Sequence, residues 1–150
     1  MSLQEKLRAD LYQAVKSGDK VRRSAIRMVL AEIKNAEIAQ GANVTLDDNG
    51  VLGALAKEAR RRKESIEAFQ KGGRQDLVAS EEAELAVIQG YLPKSMSAEE
   101  LEAHVRKVIQ ETGASGPRDK SKVMPRLVAE LKGRADGRAI NEVVTRLLGG

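Results

Sequence analysis

Cysteine is absent from the 150 residues, which excludes disulfides, thiolate metal sites, iron–sulfur clusters and cysteine nucleophiles together. Tryptophan is absent as well, and one Phe with two Tyr supplies all the aromatic character. The core must therefore be made of Leu, Ile, Val, Ala and Met. With abundant Glu, Lys and Arg, that mixture favours helix over sheet. No apolar run approaches the roughly 20 residues that cross a bilayer. The opening "MSLQEKLRAD" reads as an amphipathic helix carrying two acids rather than a cleavable signal. A soluble, cytoplasmic protein is expected. Histidine occurs once, at His104, near the apolar edge of a helix and without a second histidine to share a metal. No G-x-S-x-G motif is present to supply a nucleophile elbow. No catalytic residue, no metal-ligand set and no cofactor site can be named from the sequence.

Charge is plentiful and unevenly laid out. Charged residues make up 32 % of the chain against 41 % hydrophobic, with a net charge of +4. Residues 1–74 hold 15 bases against 10 acids, and residues 101–150 hold 10 against six. Between them, residues 75–100 hold six acids and the single base Lys94. Two basic blocks flanking an acidic segment suit a polyanionic partner, while the acidic segment could dock a basic protein.

Hydrophobic spacing is helical throughout, and no segment alternates over a strand length, so the fold class is all-α. Leu3, Leu7, Leu11, Ala14 and Val15 mark a helix over 3–17, with Gly18 as its C-terminal cap and Asp19 as the N-cap of the next. Ile26, Val29, Leu30 and Ile33 form one face of that second helix, which "GANVT" (41–45) ends. Thr45 with Asp48 imitates a capping box for the third, whose stripe is Leu52, Leu55, Ala59, Ile66 and Phe69. The run "RRRK" (60–63) interrupts the stripe. Four consecutive residues span more than a turn, so one of them, Arg62 or Lys63, must lie along the inner edge and snorkel or pair with an acid. Leu77, Leu85 and Ile88 mark a fourth helix, with the acids of "SEEAELA" (80–86) spaced to lie on a solvated face.

"YLPKSMS" (91–97) is the clearest boundary. Pro93 disfavours helix at Leu92, and Ser97 with Glu100 forms a capping box for a new start. The expected organisation is an N-terminal subdomain of about four helices over 1–93 and a three-helix subdomain over 94–150. In the latter, Leu101, Val105, Val108, Ile109 and Thr112 define a fifth helix. Asp119 or Ser121 can cap a sixth marked by Met124, Leu127, Val128 and Leu131. Pro125 leaves two options there, a kink or a start near residue 124. Ile140, Val143, Val144, Leu147 and Leu148 define a seventh.

Between the sixth and seventh helices stands "LKGRADGRAINEVV" (131–144). It is glycine-rich and basic, yet its glycines do not fit the G-x-x-x-x-G-K-[ST] of a nucleotide loop and no strand precedes it. Gly133 suits a left-handed helix end, and Asp136 suits an N-cap. Lys132, Arg134 and Arg138 then gather around a helix N-terminus, whose free N–H groups favour an anion.

The stretches "AIRMVLAEIKNAEI" (25–38), "RRRKESIEAFQKGGRQDLVASEEAELAVIQGYLP" (60–93) and "VMPRLVAELKGRADGRAINEVVTRLL" (123–148) closely resemble the YqeY family. That family is similar to the C-terminal tail domain of GatB, the B subunit of the glutamine-dependent amidotransferase that corrects misacylated tRNA. The resemblance implies a larger N-terminal helical part, a three-helix C-terminal part and a role near tRNA, the chemistry residing elsewhere in the assembly. Its motif maps onto Lys132, Gly133, Arg134, Ala135, Asp136 and Gly137, with Asn141 in the helix that follows. The chain has no room for the catalytic portion of the B subunit.

The function expected is therefore a helical module binding tRNA or structured RNA. Its preferred contacts are Lys120, Lys122, Arg126, Lys132, Arg134 and Arg138, with Arg23, Arg27, Arg60, Arg61 and Arg62 as a second patch. None of the three aromatics is set among bases in a stacking pattern, so readout of shape and phosphate is expected rather than base stacking. The alternative is a protein-interaction module docking on an amidotransferase or aminoacyl-tRNA synthetase component.

Overall fold

The computed structural model describes residues 1–149, which are all-α with no strand among them. The chain forms two compact units, one of Met1–Leu92 and a second that begins at Pro93. In the first, α1 (Leu3–Ser17), α2 (Lys20–Gln40), α3 (Asp48–Lys71) and α4 (Gln75–Gln89) surround one apolar cluster. Gly18, at φ 76°, closes α1 in the left-handed conformation that glycine adopts without a Cβ clash. Asp19 caps α2 by accepting from the Arg22 N–H. Leu7, Ile26, Ile33 and Leu55 are fully buried, each contributing about 1.5–3 kcal/mol of transfer free energy.

The start of α3 differs from the expected capping box. Asp47, the residue directly before the helix, accepts from the Gly50 N–H at 2.8 Å. Asp48 is inside the first turn, and its carboxylate accepts from the Leu3 N–H at 2.9 Å, tying the start of α1 to α3. Thr45 lies too far upstream to cap.

Further along α3, Arg62 turns inward and is 9 % exposed, while Lys63 stays in solvent. Its guanidinium bonds Glu81 at 3.0 Å and also Glu84, both on α4. Two acids expected on a solvated face are thus drawn onto a cation of α3, since a buried charge is tolerable only when paired and hydrogen-bonded. At the end of the unit, the Tyr91 hydroxyl donates to Asp10 at 2.5 Å and accepts from Arg22 at 3.2 Å. Burial and the bond to Asp10 push the phenol up to about 12.

The second unit holds α5 (Ala98–Thr112), α6 (Lys120–Glu130) and α7 (Gly137–Leu148), with a single 3-10 turn at Pro117–Asp119 before α6. Val105, Val108, Val123, Leu127, Leu131, Ile140 and Val144 are its most deeply buried residues. Ser97 caps α5 through the Glu100 N–H. The start of α6 resolves both sequence ambiguities. The helix begins at Lys120, five residues before Pro125, so the proline sits inside it. The carbonyl of Ser121, which has no N–H to receive at position 125, belongs to an exposed residue that water can serve. Asp119 occupies the N-cap position without a capping bond; its carboxylate accepts instead from the Ser115 N–H at 2.8 Å.

Candidate nucleic-acid interface

The joint between α6 and α7 is a compact turn built around one buried side chain. Leu131, 2 % exposed, ends α6 and anchors the turn in the core of the second unit. Its carbonyl accepts from the N–H groups of Arg134 and Ala135 at 2.9 and 3.1 Å. That reversal requires Gly133 at φ 81°, a conformation that a side chain would strain. Asp136 then caps α7, accepting from the Ala139 N–H at 2.8 Å. Both residues act as the spacing implied.

The turn is also pinned to the segment before α5. The Met96 N–H donates to the Arg134 carbonyl at 3.2 Å, and Arg134 Nε donates to the Lys94 carbonyl at 3.3 Å. The Arg134 guanidinium also lies 3.6 Å from Glu100. Arg134 therefore fastens the turn to residues 94–100 as well as carrying charge. Lys132 and Arg138 are exposed, with no ion-pair partner among the described residues. Lys94 is also exposed beside the same turn. Sequence reasoning missed it, because only the contact between residues 94–96 and 134 brings this base to the joint.

The cations of α6 are placed differently. Arg126 bonds Glu111 of α5 and, at 2.8 Å, Glu130 one turn along its own helix. Glu130 also receives His104 at 2.7 Å. Hydrogen bonds to Glu130 and Glu111 hold the Arg126 guanidinium above its ordinary value. Those to Arg126, then His104, keep the Glu130 carboxyl below its own. Lys122 pairs with Asp119 at 3.2 Å, and Lys120 is half-buried. Asn141 is exposed on α7.

In the first unit, Arg23 and Arg27 lie on α2, half-buried and exposed, with no carboxylate in ion-pair reach among the described residues. Arg60 is exposed on α3. Arg61 bonds Glu58 at 3.0 Å and Glu32 at 3.3 Å, and Arg62 is held by Glu81 and Glu84. The described residues contain no group of three or more His, Asp or Glu positioned to hold a metal ion.

A family model described as Yqey-like protein matches residues 4–148. Among curated proteins, the chain is 31 % identical over 147 residues to Altered inheritance of mitochondria protein 41, mitochondrial, of Pyrenophora tritici-repentis. That match covers 96 % of this chain and 80 % of the relative. Proteins of the same name from Lachancea thermotolerans and Eremothecium gossypii are each 39 % identical, over 114 and 108 residues. These matches cover 74 % and 70 % of this chain, which spans only 60 % and 58 % of those relatives' length. The names correct the expectation of a cytoplasmic location, because the relatives are designated mitochondrial and a helical, charged chain does not by itself select a compartment. What the structure adds is only that no helix among the described residues is long and apolar enough to cross a membrane.

Proposed function

We propose that this chain, which belongs to the YqeY family, is a helical module that grips the phosphates of tRNA or another structured RNA at the α6–α7 joint. The observation that carries the reading is the pair Lys132 and Arg138. Both are exposed and without carboxylate partners among the described residues, on a turn that Leu131, Gly133 and Arg134 hold rigid. Asp136 caps the start of α7 with its own negative charge, so the patch rests on these side-chain cations rather than on the helix end. Lys94 extends the patch. Such a surface favours phosphate and shape over base edges. The resemblance to the tail domain of GatB extends the proposal to a place beside tRNA-dependent amidotransfer, with no reaction assigned to this chain.

Docking on a basic protein through residues 75–100 is the weaker reading. Glu81 and Glu84 are turned onto Arg62, and Asp76 is paired with Arg74 at 3.1 Å. With Glu100 beside Arg134, four of that segment's six acids are thus already engaged.

Binding of tRNA measured by gel shift across a salt series tests the proposal. Replacing Lys132 and Arg138 together with Ala should lower affinity and reduce the slope of log K against log salt by about two. Unchanged affinity and slope would remove the joint from the interface.

A further inference from the structure

An open cleft in the first unit carries charge that the α6–α7 joint does not use. It measures about 850 Å³ and lies where α1 passes the C-terminal half of α2 and the loop after it. Arg8, Lys34, Gln4, Asn43 and Thr45 are among its walls. Its lining carboxylate, Glu37, is 8 % exposed, and its Oε2 accepts from the Leu46 N–H at 2.9 Å and from Gln4 Nε2 at 3.4 Å. That oxygen is committed to the loop and to α1. Arg8 and Lys34 are both exposed and meet no carboxylate at ion-pair distance among the described residues.

Two rows of residues lead away from this cleft. On α1, Arg8, Tyr12 and Lys16 are spaced four apart, which stacks them on neighbouring turns of one face. On α2, Lys34, Arg27, Arg23 and Lys20 fall within an arc of about 60° at 100° per residue. Only Gly18 and Asp19 separate α1 from α2, so the helices pack as a hairpin and both rows run from the cleft toward that turn. None of these bases is paired with an acid among the described residues, and one acid, Glu5, stands at the far end of the α1 row. Tyr12 is 66 % exposed, an unusual position for one of the chain's three aromatic rings. The sequence-based expectation that no aromatic is set among bases overlooked Arg8 and Lys16, which stand four residues either side of Tyr12 and share its face of α1.

We propose that this face binds a single-stranded stretch of polynucleotide, with a phosphate held by Arg8 and Lys34 in the cleft and a base stacked on Tyr12. A cleft of this size takes a group as large as one nucleotide. A ring flanked by cations favours an unstacked base over a paired one, since duplex bases present no free face. The proposal rests on the RNA reading for its class of partner and on different residues for its site.

The test uses the full chain, a fluorescently labelled ten-nucleotide single-stranded RNA and a duplex of the same length, read by anisotropy. Wild type should bind the single strand more tightly than the duplex. Tyr12→Ala should weaken that binding about tenfold and Tyr12→Phe by no more than about twofold, because stacking needs the ring and not the hydroxyl. Arg8→Ala with Lys34→Ala should weaken it and lower the salt slope by about one to two. All these positions are exposed, so unchanged circular dichroism and melting temperature separate lost binding from lost fold. Lys132→Ala with Arg138→Ala should leave the single strand bound as before. Equal affinity of wild type and Tyr12→Ala overturns the proposal. So does displacement of the strand by inorganic phosphate beyond the effect of chloride at equal ionic strength, which would mark a simple anion site. Absence of single-strand binding alongside tRNA binding that depends on Lys132 and Arg138 sinks this inference and spares the joint; the reverse pattern sinks the joint alone.

Discussion

On α3, Arg61 and Arg62 reach four carboxylates between them, Glu32, Glu58, Glu81 and Glu84. On α2, Arg23, Arg27 and Lys34 reach none among the described residues. The first stretch is the densest run of positive charge in the chain and the second is dispersed. Consecutive cations on a helix point around its circumference, so a dense run must send some of them toward neighbouring helices, where acids neutralise them. Cations three, four or seven apart share one face and can all stay in solvent. A basic run is therefore a poorer guide to unpaired surface charge than a basic helical period.

The contrast can be broken most strongly at Arg62. Arg62→Ala leaves Glu81 and Glu84 facing each other with little water, and removing one partner of a buried charge cluster costs on the order of 3 kcal/mol. Thermal or urea unfolding should show the loss, and at temperatures where the variant is folded its RNA affinity should match wild type. An intact melting temperature would mean the cluster is solvated and the contrast with α2 is false.

A smaller effect is expected at Arg61. Glu58 is 3 % exposed and its ion-pair partner is Arg61, so Arg61→Ala should cost about 1–2 kcal/mol in urea unfolding. Glu32 retains Lys57 at 2.6 Å in that variant.

Smaller again is the acid dependence of the same cluster. Hydrogen bonding to Lys57, with Arg61 assisting, holds the Glu32 carboxyl below its ordinary value of 4.5. A depressed carboxyl contributes stability above the unfolded value and loses it as pH falls through the folded one. Lys57→Met should therefore lose under about 1 kcal/mol at neutral pH, and less of a difference from wild type should remain as pH drops below 4.5. A difference that grows with acid would contradict the assignment.

The smallest change in stability, and the sharpest test of the α2 row, is Arg27→Ala. It should leave unfolding within about 0.5 kcal/mol of wild type, yet reduce the salt slope for single-stranded RNA by about 0.7. Equal slopes would show that its freedom from carboxylates has no bearing on binding.

Local chemistry was legible wherever a residue acts on its own backbone neighbourhood. Gly18, Asp19, Ser97, Gly133 and Asp136 take the roles that spacing assigns, because each cap or reversal involves residues within a few positions. The need of the 60–63 run for an inward cation was also legible, from the circumference of a helix alone. Its partners were not, since Glu81 and Glu84 lie on another helix and looked like a solvated acidic face. The capping box at Thr45 and Asp48 failed for a related reason. Asp48 is engaged with the Leu3 N–H, 45 residues away, and Asp47 was free to cap. Lys132 and Arg138 were named from sequence, and the spacing of Arg8 and Tyr12 on α1 was legible there too, whereas Lys94 beside the α6–α7 turn and Lys34 across the cleft from Arg8 emerged only when chain segments met.

The sequence by itself determined the class of the molecule. A chain without cysteine or tryptophan, rich in aliphatic residues at helical spacing, forms helices with left-handed glycines and aspartate caps between them. Tertiary structure decided which of the 26 bases keep an available charge. That outcome depends on where one helix lays its acids against another, and electrostatic neutralisation acts across space at a few ångströms, whatever the distance along the chain.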